Sequence, residues 1–201
     1  HSDLRRQRQM CIRDRRGPLR DAALAEIVRP RSHRQLNRSD MMWLRDWDRF
    51  AMTRCLALLE QDASPETALD LVDVLDQTSE LDFSDQWRIH HAIASIADHT
   101  AARTLAKIAL EKIDGPQRHA TSINGVRMRS GDPELITAAR LLDVSLDGIR
   151  IVSDDRYDGV VIEGFGRDGN GDADRTELAD RLREILSEPE GAMLTPIESI
   201  A

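Results

Sequence analysis

Little in this chain favours a β-rich or a disulfide-built protein. Aromatic residues make up 3% of its 201 residues and glycine occurs 11 times, whereas a sandwich or barrel draws on many aromatic and β-branched strands joined by glycine turns. The two cysteines, Cys11 and Cys55, allow no disulfide framework or cysteine metal cluster, because Cys11 falls in a segment set aside below. No apolar run approaches the roughly 18–20 residues of a membrane-spanning helix. Lysine is almost missing too: Lys107 and Lys112 are the only lysines among 28 basic residues.

What is present is acid, with 36 acidic residues and a formal net charge of −8. The opening HSDLRRQRQMCIRDR resembles a translated sequencing-adaptor read-through, so residues 1–16 are expected to be an unstructured artefact outside the fold. Its six arginines and two aspartates removed, the charge becomes −12, and a field of that sign repels polyanions, so nucleic acid is not an expected partner. The arginine-rich, acidic composition is similar to that of proteins from salt-adapted organisms, in which carboxylates keep the surface hydrated. Cytoplasmic placement is the default expectation.

The strongest pattern is a period of 34 residues that puts Ser64, Asp98 and Asp132 in one column, followed by Pro65, His99 and Pro133. A Ser or Asp oxygen satisfies an orphan amide at a helix start, and proline at the first helical position loses no intrahelical bond. Behind these expected caps run Ala68, Ala102 and Ile136, then Leu71, Leu105 and Ala139, then Val74, Ile108 and Leu142. Ahead of them run Cys55, Ile89 and Ile123, then Leu58, Ala92 and Val126. Spacings of three place each set on one helical face, so every unit reads as two amphipathic helices that must stack to bury their stripes. The segments SIADHTAARTLAKIAL and RMRSGDPELITAARLL resemble the turn and second helix of the HEAT-like (armadillo-type) helical repeat family; the Trp, Gly-Tyr and Ala-Phe columns of tetratricopeptide repeats are absent.

The expected fold class is therefore all-α, an α-solenoid of stacked helical hairpins. Its parts are a short helix and linker over 17–40, a repeat domain over 41–187 with units at about 41–79, 82–113, 116–145 and 148–187, and a flexible tail over 188–201. GPLRDAALAEIVRP supplies the short helix, stopped before Pro30. In the irregular last unit, RYDGVVIEGFGRDGN reads as another first helix, while IRIV and VVIE read alternatively as a short β-hairpin. DRTELADRLREIL forms the last helix, with Asp174 and Glu177 as a capping box.

Four candidate chemistries follow. Asp168, Asn170, Asp172 and Asp174 have the alternating oxygen spacing that opens a calcium loop, yet Ala173 and Ala179 stand where such a loop needs glycine and a bidentate glutamate; calcium and a solvated acidic turn both stay open. Gly164, Gly166 and Gly169 match a dinucleotide fingerprint, but flanking aspartates repel phosphate and no βαβ unit follows. His90, His91, His99 and His119 lack the i, i+3 or i, i+4 spacing of a helical metal pair. Trp43, Trp47, Asp48 and Arg49 resemble the side-chain inventory of HEAT-like alkyl-purine glycosylases, which would make the chain a DNA-repair enzyme if a cationic cleft held them. The principal expectation is a non-catalytic protein-interaction scaffold without cofactor, the C-terminal fragment of a larger protein. Its partner would meet Arg103, Lys107, Arg129 and Arg140 on the repeat face.

Overall fold

A computed structural model describes residues 17–29, 38–77, 81, 83–115, 121–157, 160–166 and 171–188, with the backbone alone for 38–47, 121 and 156–157. The expected artefact at 1–16, the linker at 31–37 and the tail at 189–201 lie outside the described residues. The elements run α1 (17–27), α2 (Arg38–Asp62), α3 (Pro65–Gln77), α4 (Phe83–Ile96), α5 (His99–Asp114), β1 (Thr121–Ile123), β2 (Val126–Met128), α6 (Asp132–Leu141), β3 (Ile151–Tyr157), β4 (Val160–Phe165) and α7 (Gly171–Ser187).

The first half follows the amphipathic pattern. Ser64 Oγ accepts from Thr67 N at 3.2 Å and Asp98 Oδ1 from Ala101 N at 2.8 Å, so both cap their helices as the column predicts. Ala68, Leu71, Leu105, Ile89 and Ala92 are fully buried in one core. On α5 the small residues Ala101, Ala102, Ala106 and Ala109, all 0% exposed, favour the helix and permit close approach. Helix α2 packs on α4, and α3 on α5.

The all-α solenoid is overturned in the second half, where the chain is mixed α/β. Ile123 and Val126 do not share a helical face; they face each other as a cross-strand pair of β1 and β2. Asn124 and Gly125 between them have φ of 47° and 90°, the left-handed pair of a two-residue hairpin turn. The irregular unit is likewise a hairpin, β3 against β4, as its alternative reading held. The two hairpins join through Arg127 opposite Phe165 into one antiparallel sheet of order β1-β2-β4-β3. One sheet face meets α4, where Trp87, 1% exposed, packs with Val126, Met128, Val160 and Ile162. Thus the two hairpins stand where first helices were expected, and the second helices α6 and α7 remain.

Two caps also differ. Gly131, not Asp132, precedes α6, with φ 89° and no side-chain cap. A Cβ there would lie 2.9 Å from Ala109 O, so only glycine allows this approach of α6 to α5. Helix α7 begins at Gly171, three residues before the expected cap. Asp174 instead accepts from Arg150 N, and Glu177 pairs with Arg181.

Candidate functional site

The arginines expected on a partner-binding face are mostly committed within the protein. Arg103 is 8% exposed and donates to the carbonyls of Ile185, Leu186 and Glu188, satisfying the orphan acceptors at the end of α7. Arg129 donates to Asp172 Oδ2 at 2.8 Å. Arg140 holds Glu163 in a two-pronged ion pair, and Glu163 is 7% exposed on β4. Lys107 on α5 is exposed, as is Arg140, which keeps 47% of its side-chain surface despite its ion pair. Of the candidate calcium ligands, Asp168 and Asn170 lie outside the described residues, Asp172 is paired with Arg129, and Asp174 holds the Arg150 amide. Among the described residues no three His, Cys, Asp or Glu side chains cluster to hold a metal.

Trp43 and Trp47 fall on α2 with side chains outside the described residues, while Asp48 and Arg49 are half-buried. Cys55 is partly buried and packs against the core. No helix among the described residues is long and apolar enough to cross a membrane.

Two buried polar clusters appear that spacing did not reveal, because each joins residues from different elements. At the first, Asp132 is 1% exposed, takes the Arg129 amide at 2.7 Å and pairs with Arg175 of α7. Burial outweighs these partners and pushes its carboxyl up to about 6. At the second, Lys112 donates to Glu134 at 2.8 Å close to His90, which is 1% exposed. Burial lowers His90 to about 4, against the pull of Glu134 and with that of Lys112 and His91. Burial also works to raise Glu134, but His90, Lys112 and its hydrogen bonds outweigh it and hold the carboxyl below its usual range. We take Glu134 as ionised on Lys112 and His90 as neutral. His90 Nδ1 and Trp87 Nε1 are buried without a hydrogen-bond partner.

Surface apolarity concentrates elsewhere. Leu19 (60% exposed) and Val28 lie on or just after α1, and Phe50 and Leu58 (49%) on α2; beyond them the large exposed apolar side chains of the described residues include Val161 of β4. Leu19, Arg20, Leu58, Leu59, Gln61 and Asp62 line a cavity of about 200 Å³. Leu58 belongs to the column whose next member, Ala92, is 0% exposed. The column position is therefore buried on α4 but half-exposed at the matching spacing on α2. Beside the cavity Arg20 stands 3.6 Å from both Asp21 and Asp70. Asp70 is raised by burial, which with neighbouring Asp73, Asp21 and Glu66 overcomes Arg20.

Comparison with protein-family models, curated proteins and solved structures finds no match for the chain.

Proposed function

We propose that the protein is a non-catalytic, partner-binding module that docks another polypeptide through the groove between α1 and α2. The observation carrying this reading is that Leu19 of α1 and Leu58 of α2, each about half or more exposed, line one cavity between the two helices. Contiguous exposed apolar side chains mark interaction surfaces, whereas isolated ones need no explanation. The cavity, about 200 Å³, falls below the ~300–1,000 Å³ of a small-molecule site and suits an anchoring side chain better. The binding role expected from sequence is kept, but the surface shifts: Arg103, Arg129 and Arg140 already serve internal partners. Cytoplasmic placement goes with this reading.

Selection from a displayed library of helical peptides tests it. Binders to the wild-type chain should lose affinity for L19D/L58D, a pair of exposed positions whose replacement leaves the fold intact. Selected binders indifferent to both substitutions would refute the reading.

A further inference from the structure

Resting on that docking reading, we infer that the occupant of the α1–α2 groove is a cationic amphipathic helix, its leucine-type side chains on Leu19 and Leu58 and its basic residues against the acidic rim. The apolar floor is half-open: Leu58 is 49% and Leu19 60% exposed over buried Leu59 at 1%. An amphipathic helix fills such a floor with side chains at i, i+3 or i+4, and i+7.

The rim sets the charge of the occupant. Arg20 lies beside Asp21 and Asp70, Asp21, Glu66 and Asp73 all act on Asp70, and Asp21 and Asp70 keep 71% and 38% of their side-chain surface. Among the described residues one guanidinium cannot answer four carboxylates, so this edge carries net negative charge; Arg54, stacked over Phe50 at 5.4 Å, lies just over one turn of α2 before Leu58. Potentials of opposite sign across an interface speed and select encounter, and like charges oppose it. An anionic lipid surface or nucleic acid meets repulsion here. A second copy docked by the same patch would bring one acidic rim towards another, since a two-fold interface pairs a surface with itself.

The test uses two fluorescent helical peptides of identical leucine spacing, one Leu/Lys and one Leu/Glu, titrated by anisotropy into the full chain at about 0.1 M salt, where screening is moderate. The Leu/Lys peptide should bind in the roughly micromolar range, with the Leu/Glu peptide at least about tenfold weaker. L19D/L58D adds two negative charges and removes the floor, so it should weaken Leu/Lys binding about tenfold or more, while V161D on the sheet leaves it unchanged. E66Q/D70N/D73N should weaken it roughly tenfold. Circular dichroism melting confirms that every variant is folded. Retained or tighter binding by L19D/L58D would show that the peptide follows net charge alone and would overturn the inference. Equal binding of both peptides, lost in L19D/L58D, overturns the cationic occupant while leaving the docking groove standing. A concentration-dependent dimer in sedimentation that dissociates in L19D/L58D makes the occupant a second copy.

Discussion

The two ends of the molecule are finished in opposite ways. Over α1 to α3 the described core is apolar, Thr67 being its buried polar side chain, whereas α4 onward buries Asp85, His90, Arg103, Asp132, Glu134, Asp154, Glu163 and Arg175. At the α7 end charges are spent on partners within the fold: buried Arg175 ties α7 to Asp132, Arg103 closes its last turn, and on the surface Arg183 reaches Asp114 on α5. At the α1 end leucines are exposed and carboxylates crowd round Asp70 beside Arg20. An end of the fold that satisfies its own polar groups has no further bonding to offer. On the proposed reading, the end whose described residues leave apolar side chains exposed is the one that takes a partner.

The widest break in this contrast comes from removing one buried ionic partner. Arg175→Met leaves Asp132 buried without its ion-pair partner, held by the Arg129 amide, and should cost about 3–5 kcal/mol in urea unfolding at pH 8. Protonation of Asp132 relieves the unpaired charge, so the loss should shrink below pH 6. Leu71→Ala, in the apolar end, should cost about 2–5 kcal/mol and by the same amount at both pH values. A pH-independent Arg175→Met loss would erase the distinction.

His90 and Asp132 give a second handle. His90, lowered from 6.5 to about 4, stabilises the fold above pH 6.5 and loses that contribution as pH falls through 4. Asp132, raised from 3.8 to about 6, contributes stability below pH 3.8 that is lost as pH rises through 6. At ~1.4 kcal/mol per unit these are opposed contributions of about 3 kcal/mol each, nearly cancelling in the wild type. Between pH 6.5 and 4, H90Q should therefore gain about 3 kcal/mol relative to wild type in paired denaturation curves; parallel curves would contradict a neutral buried His90.

Smaller effects separate the ends further. Arg103→Gln frees three carbonyls at the end of α7 and should cost about 1–2 kcal/mol, with faster amide exchange over residues 183–187. Leu58→Asp, at an exposed site, should change stability by no more than about 0.5 kcal/mol. A larger loss there would mean that Leu58 is a core residue and the groove is closed.

How much of this was legible depended on what each residue faces. The α2–α5 pattern was readable because helix faces and caps such as Asp98 are local, set within one turn. The β1–β2 hairpin was missed although Asn124-Gly125, a strong local turn signal, lay between Ile123 and Val126; a spacing of three suits one helical face and equally a pair bridging a two-residue turn. The site was less legible still. Arg103 was expected on a partner-facing surface but is claimed by a helix end 82 or more residues away, and Leu58 shares its column with buried Ala92 while itself standing half-exposed. Neither fact exists until the elements are assembled.

The most direct test of the contrast is hydrogen exchange on the full chain with and without the Leu/Lys peptide. Slower exchange confined to α1 and the C-terminal half of α2, with α6 and α7 unchanged, is the expected result; protection on α6 and α7 with none on α1 and α2 would contradict it.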